Sequence, residues 1–163
     1  MDVTLTHEIE LYPWATFQTL LDHEVLRAKR YQQPLCLIQL AVEPEPLDLQ
    51  TQFSAELFTI NALNLEVRET DIPCKRGSEF YVLLPATPEA GGRVVCERLA
   101  QTFRMPHQKY DRVSFEMSTL IALTCMTGAE RILGNQLLQQ AATALQAARQ
   151  RPADAVVVFS DLS

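Results

Sequence analysis

The sequence lacks an excess of positive charge and any long apolar run. Its 163 residues contain 14 Lys and Arg against 20 Asp and Glu, which gives a net charge of −6. Nucleic acids and anionic membranes bind clustered Lys and Arg, so this balance argues against both as partners. The first residues lack the basic start and apolar core of a secretory signal, and no apolar run approaches a membrane span. We therefore expect a cytoplasmic protein.

Metal, cofactor and redox motifs are also missing. The four cysteines lie far apart among apolar neighbours: Cys36, Cys74, Cys96 and Cys125. Without the paired spacing of a zinc site or a redox disulfide, they are expected to be buried free thiols. The three histidines likewise share no ligand spacing: His7, His23 and His107. We expect no metal, no cofactor and no Ser-His-Asp or Cys-His arrangement.

Length and composition indicate one folded unit. A chain of 163 residues with 47% hydrophobic content can form one full core but is short for two. The sequence contains no internal repeat and no low-complexity tract. We therefore divide it into an N-terminal extension, residues 1–15, and a single domain, residues 16–163.

Apolar spacing predicts alternating helices and strands. Helical periodicity indicates helices over 16–31, 53–70, 87–103 and 132–148. Strand-length apolar runs lie at 35–42, 113–124 and 155–159, and a hairpin is expected to turn at Gly77. Glu43-Pro44-Glu45-Pro46 is expected to close the first strand, and Thr87 to cap the third helix. This order predicts an α/β fold, an α+β sandwich whose mixed, mostly antiparallel central sheet is flanked by helices.

Three stretches resemble motifs of one known family. Arg76-Gly77-Ser78-Glu79-Phe80 is similar to the Gly-Gly-Asp/Glu-Glu-Phe hairpin of the GGDEF (diguanylate cyclase) family. Residues 27–35 look like that family's helix-to-strand entry, and residues 141–149 resemble its Ala-Asp-x-Ala-Leu-Tyr-x-Ala-Lys helix. The resemblance covers nearly the whole chain after residue 16. It implies a nucleotidyl-cyclase-like fold and a family chemistry in which two metal ions help condense two GTP molecules into cyclic di-GMP.

The positions that carry this chemistry are altered. The resemblance places the family's first-strand metal carboxylate at Ala41 and its second at Ser78, whose neutral hydroxyl is a weak ligand for a hard cation. Glu79 then remains as a lone acid, which cannot fix two cations. Arg149 keeps only the charge of the family's Lys, and the guanine-reading stretch has no counterpart after the first strand. Arg76 replaces the glycine that lets the backbone approach the nucleotide. We expect a degenerate domain that is not an enzyme.

One ligand-binding motif of the family survives. Arg68-Glu69-Thr70-Asp71 matches its Arg-x-x-Asp inhibitory site, in which the Arg binds a phosphate or guanine edge of cyclic di-GMP and the Asp accepts from the base. The alternative is a structural ion pair at a helix end.

These observations favour a bacterial regulatory module that acts by contact with another protein. The candidate contact surfaces are the hairpin around Arg76 and the last helix, whose Gln139 and Gln146 lie on a face with few charges. Trp14 is either a docking anchor or a staple on the core. Three alternatives stay open: a cyclic di-GMP receptor acting through Arg68 and Asp71, a residual nucleotide-binding enzyme, and a second copy of the chain as partner.

Overall fold

A computed structural model describes residues 11–104, 108–152 and 154–162. The helices in these ranges are α1 (Trp14–Tyr31), α2 (Leu49–Glu66), α3 (Glu89–Phe103) and α4 (Gly134–Arg149), followed by a 3₁₀ turn at Phe159–Asp161. The strands are β1 (Leu35–Glu45), β2 (Ile72–Arg76), β3 (Glu79–Pro85), β4 (Gln108–Tyr110), β5 (Val113–Met126) and β6 (Val156–Val158). Among the described residues no helix has both the length and the apolarity that a membrane crossing requires.

The strands form one sheet around the long strand β5. Their order is β2-β3-β1-β5-β4, and β6 pairs with β5. Strand β1 runs antiparallel to both β3 and β5, β2 and β4 are antiparallel to their neighbours, and β6 is parallel. The predicted α+β fold with a mixed, mostly antiparallel sheet is confirmed.

Alternate residues along each strand pack against the helices on opposite faces of the sheet. Successive strand residues point to opposite faces, so Leu35 and Leu37 of β1 pack with α1 and α4. The alternate residues Cys36, Ile38 and Leu40 pack with α2 and α3. The sheet is thus buried on both faces, which explains why its central strands are apolar runs rather than alternating patterns.

Helix α1 is fixed to the hairpin side of the sheet by aromatic contacts. The Trp14 ring stacks on Phe17, with centroids 5.6 Å apart, and lies 5.0 Å from the Tyr81 ring of β3. Just before the helix, the Tyr12 amide donates to the carbonyl oxygen of Pro73 on the edge strand β2. Trp14 therefore packs on the core as a staple, and α1 begins two residues before the boundary predicted at residue 16.

Several predicted element ends are wrong, including both ends of α2, which was expected over 53–70 and spans Leu49–Glu66 because the Asp48 side chain caps its start. Strand β1 continues through Glu45, because Pro44 and Glu45 still pair with β5. Pro44 is tolerated there because the pairing of β1 with β3 stops at Ala41, so no neighbour on that side requires its missing N–H. Helix α3 begins at Glu89 without a side-chain cap, since the Thr87 hydroxyl donates instead to the Pro85 carbonyl oxygen.

The cysteine prediction is half confirmed. Cys74 and Cys96 are buried free thiols, and burial raises their pKa values to about 11 and about 12, respectively. Cys36 and Cys125, expected to be free, form a disulfide. Their contact follows from the antiparallel register of β1 and β5, in which the two residues are directly opposed across a separation of 89 residues. Spacing along the chain does not show such a pair.

Candidate functional site

The hairpin formed by β2 and β3 turns over two residues, Gly77 and Ser78. Arg76 and Glu79 are the last paired residues before the turn. Gly77 has a φ of +62°, a left-handed conformation that glycine adopts at little cost. The turn predicted at Gly77 is confirmed, and it leaves Ser78 exposed to solvent.

Three of the residues singled out in the sequence meet beside this hairpin. Ala41 of β1 lies directly opposite Glu79 of β3, and Arg149 at the end of α4 reaches the same place. Ala41 itself is buried in a small apolar cluster that includes Ala144 and Ala148 of α4. Its position therefore supplies packing and no side-chain oxygen.

Both carboxylate oxygens of Glu79 are already bound within the protein. Oε1 accepts a hydrogen bond of 2.7 Å from Nε2 of Gln39, and Oε2 lies 3.2 Å from a guanidinium nitrogen of Arg149. The two partners in the ion pair are each about one-third exposed, at 30% for Glu79 and 37% for Arg149. A cation arriving at Glu79 would have to displace a guanidinium that already neutralises the carboxylate.

This donor set does not fit the two metal ions that the resemblance implies. Hard divalent cations take several oxygen ligands, mostly carboxylates. The position offers the methyl group of Ala41, the neutral hydroxyl of Ser78 and a carboxylate already paired with Arg149. Nowhere in the described parts of the chain do three or more His, Cys, Asp or Glu residues gather as a metal site would require. No catalytic step can be derived through metals here.

The sequence interpretation missed Gln39, which holds Glu79 from within the sheet. Gln39 is buried, and its Nε2 also lies 3.1 Å from the Tyr81 hydroxyl. Burial and, to a smaller extent, the Glu79 charge raise the pKa of Tyr81, so the phenol stays neutral. The signal was present in the sequence, because Gln39 is a polar residue in the middle of the apolar run Leu35–Val42.

Arg68 and Asp71 lie together in the loop after α2. One Asp71 oxygen accepts from the Arg68 amide at 2.8 Å, and the other accepts from the Arg68 guanidinium at 3.1 Å. The same guanidinium nitrogen donates to the Thr87 hydroxyl at 2.6 Å. The Asp71 side chain is only 2% exposed, whereas that of Arg68 is 57% exposed. Asp71 therefore stabilises this loop, and only the Arg68 guanidinium has a face open to a ligand.

Arg76 is exposed at the hairpin turn but is not a free side chain. Its guanidinium carbon lies 4.3 Å from the centre of the Trp14 ring, a distance typical of a cation–π contact. The Arg76 guanidinium also acts on Tyr81, since it lowers the pKa of that phenol against the larger raising effect of burial. The hairpin is thus tied to helix α1 through the residue predicted as a partner anchor.

The outer face of α4 carries the other predicted anchors. Gln139 and Gln146 are exposed, as expected. Gln136 and Gln140 are used internally: Gln136 Oε1 accepts from the Leu133 amide at the helix start, and Gln140 Oε1 accepts from the Thr124 hydroxyl. The exposed stripe of α4 is therefore uncharged until Arg149.

A cleft opens beside the hairpin, where β1 continues past its pairing with β3. It has a volume of about 540 Å³ and lies between the end of β1, the start of α2 and the hairpin. Its lining includes both apolar and acidic side chains, from Val42, Glu43, Pro44, Glu45, Leu47, Ala55, Glu56 and Phe80. Glu43, Pro44, Glu45 and Leu47, from the stretch in which the sequence shows no counterpart of a guanine-reading segment, form one wall of the cleft, and Gln52 lies in the same lining.

No protein-family model and no curated protein sequence matches the chain. Its fold, however, is that of GGDEF domains. The diguanylate cyclase SiaD of Pseudomonas aeruginosa, solved with its activator SiaC, aligns with a TM-score of 0.80 and 21% identity over 91% of this chain and 58% of that chain. The GGDEF domain of FimX from the same organism aligns with a TM-score of 0.82 and 14% identity, over 93% of this chain and 96% of that chain. DgcB of Caulobacter crescentus, solved with c-di-GMP, aligns with a TM-score of 0.75 and 15% identity, over 93% of this chain and 83% of that chain. The GGDEF-like fold expected from the motifs is confirmed.

Proposed function

We propose that this chain is a GGDEF-like domain without cyclase activity, which works in the cytoplasm as a regulatory module that binds another protein. The main support is the state of Glu79. Its carboxylate is bound by Gln39 and Arg149 beside Ala41, where the enzyme family needs free carboxylates for two cations.

The loss of catalytic rate that follows from missing metal ligands is large. Metal ions in phosphoryl transfer neutralise charge in the transition state, and each contributes several kcal/mol. Since about 1.4 kcal/mol corresponds to a tenfold change in rate, losing the ligands of both metals lowers the rate by many orders of magnitude. The cleft also disfavours binding of GTP, because the carboxylates of Glu43 and Glu45 would repel a triphosphate.

The test is direct. Purified protein is incubated with GTP and either magnesium or manganese, and the products are separated by liquid chromatography and identified by mass spectrometry, with an active diguanylate cyclase run in parallel. We expect no cyclic di-GMP from this chain. Product that disappears in Glu79→Ala would show that the residual carboxylate still supports catalysis, and would establish the nucleotide-enzyme alternative.

A protein partner is supported by the absence of usable chemistry and by the relatives of this fold. The SiaD structure contains an activator protein, so a protein with this fold can form a complex with a regulator. A domain without cyclase activity can regulate by contact with a partner.

Cyclic di-GMP remains the second candidate ligand, because more than half of the Arg68 side chain is exposed and DgcB has been solved with this nucleotide. Asp71 argues against it, since both of its oxygens already accept from Arg68. Isothermal titration with cyclic di-GMP decides between the two functions. We expect no heat of binding; binding that Arg68→Ala removes would support the receptor instead.

A further inference from the structure

The start of helix α2 exposes apolar side chains that the fold does not bury. Leu47, just before the helix, is 75% exposed, and Leu49 and Phe53 within it are 83% and 63% exposed. Single exposed apolar residues are ordinary, but a contiguous group beside a cavity is typical of a binding surface.

These residues form one surface with the cleft. Leu49 and Phe53 are four residues apart, so they lie one above the other on the same helical stripe. Gln52 and Glu56, which line the cleft, occupy the adjoining stripe of α2. Leu47 belongs to both, because it lines the cleft and is mostly exposed. Leu49 and Phe53 are not in the cleft lining and lie on the exposed helix face next to it. We refer to Leu47, Leu49, Phe53 and the cleft together as the α2 groove.

The floor of the α2 groove is apolar and its rim is negative. Ala55 and Phe80 are buried residues in its lining. Glu43 and Glu45, at the end of β1, are exposed members of the lining and form no ion pair within the described residues, while Glu43 also lines a smaller cavity with Arg149 and Arg151. The one cation in the lining, Lys75, lies 3.6 Å from Glu56 and is neutralised by it.

We propose that the α2 groove binds an amphipathic segment of a partner protein, whose apolar side chains fill the groove and whose Lys or Arg side chains meet Glu43 and Glu45. This inference rests on the proposed function, since it names the surface and the partner chemistry of the regulatory module. Charge complementarity selects the occupant: apolar groups match the floor, and basic groups match the rim.

The same charges disfavour the other occupants. A nucleotide or an anionic lipid would bring phosphate against two carboxylates. A second copy related by two-fold symmetry would place the acidic rim against itself. The first ten residues of this chain carry Asp2, Glu8 and Glu10 and no Lys or Arg, so they lack the charge that the rim requires.

The probe is a fluorescein-labelled peptide of about fourteen leucines and lysines, arranged so that one helical face is apolar. Fluorescence anisotropy is measured as the full chain is titrated at low and at physiological salt. Two control peptides have the same composition in a non-amphipathic order, or glutamate in place of lysine. We expect saturable binding of the amphipathic basic peptide only, weakened by salt because charges contribute to it.

Substitutions then locate the binding site. Leu49→Ser and Phe53→Ser are each expected to raise the dissociation constant about tenfold or more, as buried hot-spot residues do. Leu65→Ser is the matched control, because Leu65 is 76% exposed on the same helix but lies about 18 Å along it from Phe53. Glu43→Gln with Glu45→Gln should weaken binding and flatten its salt dependence. Thermal melts of each variant check that folding is retained.

Several results would overturn the inference. They are equal binding of all three peptides, equal losses in Leu65→Ser and Phe53→Ser, no binding of the basic peptide, or self-association in sedimentation that Phe53→Ser abolishes. Each leaves the proposed lack of cyclase activity standing, because that is decided separately by product formation from GTP. Conversely, cyclic di-GMP production would refute the proposed function whether or not the peptide binds.

Discussion

The contact between Arg76 and Trp14 allows a quantitative test of how the hairpin is attached to helix α1. The guanidinium carbon lies 4.3 Å from the ring centre, on an exposed turn. Cation–π contacts at exposed sites contribute about 0.5–1 kcal/mol. Arg76→Ala should therefore lower the free energy of unfolding by about 1 kcal/mol, which for a domain of this size lowers the melting temperature by about 2–4 °C.

A double-mutant cycle separates this contact from the others that each residue makes. Arg76→Ala, Trp14→Leu and the combined variant are unfolded in urea and followed by far-UV circular dichroism, because Trp14 is the only tryptophan and its loss removes the fluorescence signal. We expect a coupling energy of about 0.5–1 kcal/mol. Trp14→Leu alone costs more, since it also removes ring contacts with Phe17 and Tyr81, but that part cancels in the cycle. If the two single effects simply add, the stacking contributes nothing and Arg76 is free to act as a partner anchor.

Three further predictions concern the catalytic position, the thiols and one turn. Ala41→Asp combined with Ser78→Asp should not give cyclic di-GMP synthesis in the GTP assay, since the guanine-reading stretch is still missing; turnover would contradict that interpretation. In the native protein at pH 8, Cys74 and Cys96 should resist alkylation, because burial raises their pKa values to about 11 and about 12 and only the thiolate reacts; mass spectrometry before and after unfolding checks this. Gly128→Ala should lower the free energy of unfolding by about 1–3 kcal/mol in urea titrations, because the residue has a φ of +98° and an added Cβ would lie 2.7 Å from a backbone oxygen; unchanged stability would mean that the turn relaxes easily.

Local sequence signals predicted the elements and their order well. Helical periodicity over 16–31 predicted α1, and its apolar residues Phe17, Leu21 and Val25 are buried. The apolar run from Leu35 predicted β1, and the turn at Gly77 follows from a glycine between two strand-like segments. These features depend on residues a few positions apart, so a single sequence contains them.

Features that depend on strand pairing were missed. The Cys36–Cys125 disulfide and the extension of β1 to Glu45 both follow from the register of β1 against β5. The internal use of Glu79 depends on Gln39 and Arg149, from a neighbouring strand and a distant helix. No local pattern encodes which long-range partners meet. The sequence therefore shows that residues 41 and 78 carry no carboxylate, but not which side chains bind Glu79.

The alternation of side chains along the hairpin separates the two candidate surfaces. Arg76 on β2 and Tyr81 on β3 belong with α1, on the face that also holds Glu79 and Arg149. Their neighbours Lys75 and Phe80 point to the other face, where they line the α2 groove. Substitutions on opposite faces of a packed sheet share no partners, so their effects on stability and binding should be additive. The surface that binds the partner can therefore be assigned by single substitutions, and a strong non-additive effect between Arg76→Ala and Phe53→Ser would mean that one partner spans the hairpin and contacts both faces.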